Sequence, residues 1–160
     1  MVNSEFNPII HFYSNSPFQT RKIGEILGKE LLKLKKRKGA FILGLKGELG
    51  SGKTTFLQGF AKGLGQRGKI ISPTFVIVKK FKVYSLRFKV FYHIDCYRLK
   101  NPKEIFSLGF KEISLNPKNI IAIEWVDRIK RFLPKKTLIL EFETTGNNKR
   151  KIRLCYNSKK

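Results

Sequence analysis

The chain has few acidic residues. It holds 11 aspartates and glutamates against 34 lysines and arginines, which gives a formal net charge of +23 at pH 7. A charge of this size attracts polyanions, so RNA is a candidate partner. Genome composition is the alternative explanation, because the chain is rich in residues with A/T-rich codons and has only three alanines. The charge by itself therefore assigns no function.

Cysteine and long apolar runs are also scarce. Cys96 and Cys155 form no CxxC pair and no metal-ligand spacing with the two histidines, so we expect reduced thiols in a cytoplasmic protein. The longest apolar run, 40–45, is far shorter than the roughly 20 residues of a membrane span. Residues 1–16 lack the charged start and apolar stretch of a secretory signal. The expected location is the cytoplasm, without membrane association.

The order of the apolar runs predicts one α/β domain over residues 1–160. Residues 40–46 form a continuous apolar run, typical of a buried parallel strand, and a glycine-rich segment and a helix from Lys53 follow. Short helices are predicted after residue 101 and over 127–132. Further strands are predicted over 8–13, 74–81, 87–95 and 119–124, with a hairpin of 138–142 and 152–155 around the turn 146–148. We predict a three-layer P-loop NTPase fold whose sheet is mainly parallel, with antiparallel edge strands and a C-terminal hairpin.

The first helix has a predicted start and end. Ser16, Pro17 and Gln19 form an S-x-x-Q capping box with proline at the first helical position. The helix is expected to end in the basic run 35–38 before Gly39, where cations favour the negative end of the dipole. This run is either a solvated helix end or an RNA patch. Apolar residues recur at helical spacing at Ile23, Ile26, Leu27, Leu31 and Leu34.

The segment 47–54 carries the strongest functional signal, because it fits the pattern G-x-x-x-x-G-K-[ST]. Glycines allow backbone N–H groups to cradle phosphate oxygens, and the helix that follows presents its positive end to the same anion. Lys53 supplies a charge to the β- and γ-phosphates, and the Thr54 hydroxyl is a ligand suited to Mg²⁺. We therefore predict an ATP and Mg²⁺ site. The predicted loop contacts to the nucleotide are Glu48, Leu49, Gly50, Ser51, Gly52, Lys53, Thr54 and Thr55.

Two acids follow predicted strands. Asp95 ends the run 90–94, and Glu124 ends the run 120–123. Because the carboxyl ends of parallel strands line the ligand crevice, both acids are candidates for the phosphate and metal site. The alternative for each is an ordinary strand-end carboxylate paired with a lysine. His93 is predicted to be packed and hydrogen-bonded.

Four segments stand out together, namely the glycine loop 47–55, Ser-Pro-Thr-Phe at 72–75, His-Ile-Asp-Cys-Tyr-Arg-Leu at 93–99 and Ile-Glu-Trp at 123–125. In their order and spacing they resemble the bacterial TsaE family, the ATPase of tRNA threonylcarbamoyladenosine biosynthesis. The similarity runs from about residue 16 to residue 134. It implies ATP binding and an ATPase activity that is weak alone. It also implies the partners TsaB and TsaD, which carry threonylcarbamoyl to tRNA and are reset by ATP hydrolysis between turnovers.

The resemblance also implies roles for matching residues. Lys53 would hold phosphate, and Thr54 and Glu124 would coordinate Mg²⁺. Asp95 would be needed for hydrolysis by orienting water. The remaining implied nucleotide contacts are Thr74, within a nucleotide-sensitive switch at 72–74, and Trp125.

Two other functions fit the sequence. A small-molecule kinase would share the glycine loop, although no Arg-x-x-x-Arg lid is present. The chain could also be a basic RNA-binding module with a vestigial nucleotide site. Its affinity for RNA would then fall steeply with salt concentration and would not change when ATP is added.

Overall fold

A computed structural model describes residues 9–35, 37–68, 70–71 and 77–157. The helices are α1 (Pro17–Leu31), α2 (Lys53–Gly63), α3 (Glu104–Ser107) and α4 (Phe110–Leu115), followed by a 3₁₀ helix at Val126–Phe132. Within those ranges, no helix has the length and apolar character needed to cross a bilayer. The strands are β1 (Ile10–Ser14), β2 (Phe41–Lys46), β3 (Val78–Lys82), β4 (Val90–Asp95), β5 (Asn119–Glu124), β6 (Leu138–Gly146) and β7 (Lys149–Tyr156).

The seven strands form one sheet in the order β1-β7-β6-β2-β5-β4-β3. Strands β6, β2, β5 and β4 pair in parallel, whereas β1, β7 and β3 pair antiparallel to their neighbours. The predicted parallel centre, antiparallel edges and C-terminal hairpin are confirmed. β2 lies at the centre between two parallel neighbours, which explains its continuous apolar sequence.

Helices cover both faces of this sheet, as the three-layer prediction requires. Successive residues of a strand point to opposite faces. Leu43 of β2 therefore packs in the core on the α1 and α2 side, together with Phe56 and Phe60. Ile42 packs in a second core with Ile105 of α3 and residues of α4 and the 3₁₀ helix. The two cores hold the sheet from both faces. Because the central strands run in the same direction, their carboxyl ends lie at one edge of the sheet.

Helices α1 and α2 meet through glycines, a contact that the apolar spacing did not indicate. A Cβ atom added to Gly24 would stand 2.2 Å from a carbonyl oxygen of α2, and one added to Gly59 would stand 1.8 Å from a carbonyl oxygen of α1. The corresponding distances at Gly28 and Gly63 are 2.4 and 2.3 Å. The two backbones can approach this closely only because glycine has no Cβ.

This contact corrects two expectations for α1. Ile26 is 52% exposed, because the face that meets α2 is the glycine face rather than the full set of apolar positions. The helix ends at Leu31, so Leu34 and the basic run 35–38 lie beyond it. The prediction that the run forms the helix end is therefore wrong, because the helix already ends at Leu31.

Several local predictions hold. The Ser16 hydroxyl accepts the Gln19 N–H at 3.2 Å, although the Gln19 side chain accepts from Asn15 at 2.6 Å rather than from Ser16. The hairpin register joins Gly146 to Lys149 and leaves a two-residue turn. Strand β5 has the predicted bounds. The predicted strand 74–81 falls partly outside the described residues, and its described part begins at Val78.

Candidate functional site

The glycine loop joins β2 to α2 at the carboxyl edge of the sheet. Gly50 and Gly52 have φ angles of +75° and +101°, backbone conformations that residues other than glycine rarely adopt. Gly52 is also the N-cap of α2 and makes no side-chain capping bond. Backbone N–H groups at the start of α2 are therefore available to an anion, and the helix dipole favours one there.

Lys53, the first residue of α2, turns its ammonium back into this loop. Its Nζ donates to the carbonyl oxygens of Gly47 at 2.7 Å and Glu48 at 2.9 Å, and the residue is only 5% exposed. Burial lowers the pKa of Lys53 from its ordinary value, while the nearby Glu124 and Asp95 charges oppose that change. In the described ranges, no carboxylate lies within 4.0 Å of this ammonium. A buried cation held only by neutral oxygens suits an anionic ligand.

Thr54 and Glu124 meet beside the loop. The Thr54 hydroxyl donates to Glu124 Oε2 at 3.0 Å, and Oε1 lies at 3.3 Å. Glu124 is 2% exposed, and its Oε1 is also 2.8 Å from Nε2 of the fully buried His93. A hydroxyl and a carboxylate are hard oxygen donors, so this pair fits Mg²⁺. No group of three or more His, Cys, Asp or Glu side chains in the described part of the chain could hold a metal by itself.

Asp95 lies next to Glu124 across two parallel strands. The two residues are directly paired in the β4–β5 register. Asp95 Oδ1 accepts the Tyr97 N–H at 2.9 Å, which stabilises the turn after β4 and holds the carboxylate at the strand end. The structure thus brings both predicted acids to the edge that carries the glycine loop.

Trp125 closes one side of the site. Its ring lies 4.2 Å from Lys53 Nζ and 4.9 Å, between centroids, from the Tyr97 ring. Its φ of 56° is a left-handed conformation that costs a bulky residue on the order of 1–3 kcal/mol. Such strain is typical of functional sites.

These residues surround a cleft of about 560 Å³. Ser51 is buried beneath the loop, and Glu48 lies on a neighbouring groove instead. Thr74 and the implied switch 72–74 lie outside the described residues. The predicted residues that line the cleft are Leu49, Gly50, Gly52, Lys53, Thr54, Thr55, Asp95, Glu124 and Trp125.

Four further residues line the cleft, namely Ile77, Tyr97, Arg98 and Arg150. Tyr97 and Arg98 belong to the segment 93–99 that carried the family resemblance, so the sequence held a signal for them. Arg150 belongs to the C-terminal hairpin, and no local pattern pointed to it.

The sequence profile of the family described as threonylcarbamoyl adenosine biosynthesis protein TsaE matches residues 14–152. A tRNA threonylcarbamoyladenosine biosynthesis protein TsaE from Rickettsia conorii is 38% identical over 146 residues, covering 91% of this chain and 77% of that protein. The protein of the same name from Haemophilus influenzae is 33% identical over 131 residues, covering 82% and 80% of the two chains. The crystal structure of Bacillus subtilis YdiB superposes with a TM-score of 0.71 at 27% identity, covering 95% of this chain and 88% of that one.

Proposed function

This chain belongs to the TsaE family of threonylcarbamoyl adenosine biosynthesis proteins, and we propose that it is an Mg²⁺-dependent ATPase of tRNA threonylcarbamoyladenosine modification. Its ATP hydrolysis resets a complex of TsaB and TsaD homologues between turnovers, and tRNA is reached through that complex. The activity is weak in the isolated protein and is stimulated by these partners.

One observation carries the proposal. Thr54, the residue after the loop lysine, meets Glu124 within 3.0 Å although the two lie 70 positions apart in the chain. This puts a hydroxyl and a buried carboxylate beside Lys53 and the positive end of α2. A triphosphate with a bound divalent cation needs this combination: amides and a cation for the phosphates, and hard oxygens for the metal.

The residues divide the work as follows. Lys53 and the loop amides bind the β- and γ-phosphates. Thr54 and Glu124 would hold Mg²⁺, which supplies charge neutralisation on the phosphate oxygens when it is bound. His93 fixes the Glu124 carboxylate from behind.

Asp95 acts on the water. Its carboxylate lines the cleft at the end of β4 and orients the attacking molecule. The water oxygen forms a bond to the γ-phosphorus, and the bond from that phosphorus to the β–γ bridging oxygen breaks. ADP leaves with the electron pair, and the proton of the water passes to solvent.

The surface around the cleft supports a partner-dependent activity. Leu49, at the crest of the loop, is 79% exposed, and the Tyr97 side chain beside the cleft is also exposed. Apolar side chains at the mouth of a phosphate site suit coverage by another protein, which would exclude water.

The test compares Lys53→Ala with Lys111→Ala, which removes an exposed lysine of α4. Mg-ATP affinity is measured by calorimetry and by the fluorescence of Trp125, the only tryptophan. We expect Lys53→Ala to lose measurable ATP binding, because a charge-assisted phosphate contact disappears, and Lys111→Ala to bind as the wild type does. No binding by the wild type, or equal binding by Lys53→Ala, would overturn the proposal.

A further inference from the structure

Arg150 reaches the glycine loop from the far end of the chain. It is the second residue of β7, and its Nη2 donates to the Gly50 carbonyl oxygen at 3.0 Å. Its Nη1 donates to the carbonyl oxygens of Lys149 at 2.9 Å and Gly146 at 3.5 Å. The guanidinium is therefore braced on its own hairpin and extends over the loop crest.

The position of this charge is unfavourable without an anion. Arg150 Nε lies 3.5 Å from where a Cβ on Gly52 would stand, so the guanidinium is next to the N-cap of α2. A cation at the positive end of a helix is unfavourable, and Lys53 already places one positive charge there. Among the residues that the structure describes, no carboxylate lies within 4.0 Å of Arg150. All its hydrogen-bond acceptors are neutral carbonyl oxygens.

The donors that remain suit a phosphate. A guanidinium has five N–H groups, and the three carbonyl contacts use three of them. One N–H on Nε and one on Nη2 are left, and both can donate to the oxygens of a phosphate. Arg150 also lines the same cleft as Lys53, Thr54 and Asp95.

We propose that Arg150 is a phosphate-binding catalytic residue supplied in cis by the C-terminal hairpin. It keeps its bond to Gly50 and directs its remaining N–H groups to the phosphates of ATP, where it stabilises the negative charge that moves to the leaving oxygen during hydrolysis. This inference rests on the proposed ATPase function.

The structure also offers a plain alternative, in which Arg150 only braces the loop. A brace affects nucleotide affinity and stability together, whereas a residue that stabilises the transition state changes kcat. The two roles are therefore separable by kinetics.

The experiment compares Arg150→Gln and Arg150→Lys with Lys149→Gln, a control that removes an equal charge from the neighbouring exposed position. Single-turnover ATP hydrolysis gives the rate, Trp125 fluorescence gives the affinities for ATP and ADP, and thermal unfolding reports on the fold. We expect Arg150→Gln to lower the hydrolysis rate at least about tenfold, and Lys149→Gln to retain the wild-type rate. Arg150→Lys should keep part of the ATP affinity without recovering the rate, because a single ammonium lacks the planar fork through which a guanidinium donates two parallel hydrogen bonds to a phosphate.

Three outcomes decide the matter. A rate for Arg150→Gln equal to that of Lys149→Gln would overturn the inference, and so would equal losses of ATP and ADP affinity with an unchanged rate. If Arg150→Gln does not fold, the hydrolysis rate of Arg150→Lys against the same control decides. The wild type distinguishes a failure of this inference from a failure of the proposed function. If the wild type neither binds nor hydrolyses ATP, both are overturned; if it does both, only the role of Arg150 is in question.

Discussion

The Thr54 hydroxyl donates a hydrogen bond to the Glu124 carboxylate at 3.0 Å and so joins the start of α2 to the end of β5. His93 on the neighbouring strand β4 holds the same carboxylate from the other side at 2.8 Å. Because Glu124 is buried and bonded by two side chains, its oxygens are fixed relative to the glycine loop. If Glu124 binds Mg²⁺ as we propose, a carboxylate held in this way needs little reorganisation when the ion binds.

Replacing Glu124 with glutamine tests the metal site. Glutamine keeps the shape and can still accept from Thr54, but it lacks the negative charge that Mg²⁺ prefers. We expect the apparent Mg²⁺ affinity in the presence of ATP to fall at least about tenfold. Magnesium titrations followed by Trp125 fluorescence measure this. Glu112→Gln, on the exposed surface of α4, is the control. Identical magnesium titrations for the two variants would mean that Glu124 has a structural role and does not bind the metal.

Replacing Asp95 with asparagine separates binding from turnover. The amide oxygen can still accept the Tyr97 N–H, so the turn after β4 is retained, but the carboxylate that we propose to orient water is lost. We expect ATP affinity to be kept and the hydrolysis rate to fall at least about tenfold. Asp127→Asn changes the only other aspartate, which is exposed on the 3₁₀ helix, and serves as the control. An unaltered rate in Asp95→Asn would remove this residue from the mechanism.

The glycine contact between α1 and α2 predicts a stability defect in Gly59→Ala. Alanine in a helix interior is favoured over glycine by about 1 kcal/mol, so the substitution should stabilise if space were available. The new Cβ would instead stand 1.8 Å from the Arg21 carbonyl oxygen, and a backbone clash of this kind costs about 1–3 kcal/mol or more. We expect a net loss of unfolding free energy in urea titrations. Gly68→Ala should show no such loss, because among the described residues, apart from its chain neighbours, no heavy atom lies within 4 Å of the new Cβ. Equal midpoints for the two variants would contradict the packing argument.

The pH dependence of stability should report on Glu25, which links the same two helices. Hydrogen bonds from Lys29 and then Lys62 lower the pKa of Glu25 from its ordinary 4.5 to about 2. A lowered pKa means that the ionised carboxylate stabilises the folded state above pH 4.5 and loses this effect as the pH falls toward 2. The melting temperature of the wild type should therefore exceed that of Glu25→Gln at pH 7, and the difference should vanish near pH 2. Glu30→Gln, which removes an exposed ion pair with Lys33, should show a much smaller difference. A difference for Glu25→Gln that does not change with pH would refute the assignment.

The sequence alone was sufficient for those features that depend on local pattern. The glycine loop lies between a buried strand and a helix, and β5 has the predicted bounds, because an apolar run of that length and the loop pattern each specify their structure locally. The general rule that parallel strands end at the ligand crevice also predicts that Asp95 and Glu124 lie at one edge of the sheet.

The buried face of α1 was not predictable in this way. Apolar spacing pointed to Ile26, whereas the structure buries Gly24 and Gly28, since only the partner helix decides which face is covered. The end of the helix at Leu31 has the same cause, because packing rather than propensity supplies most helix stability.

What the sequence determined by itself was the position of a glycine loop with a lysine, a hydroxyl and two strand-end acids, since each follows from a short pattern or a topological rule. Only the tertiary structure decided that Glu124 is held by His93 and that Arg150, from a hairpin about 100 positions beyond the loop, lies against it. The physical reason is that contacts between distant segments depend on strand order and register, which no local stretch of sequence encodes.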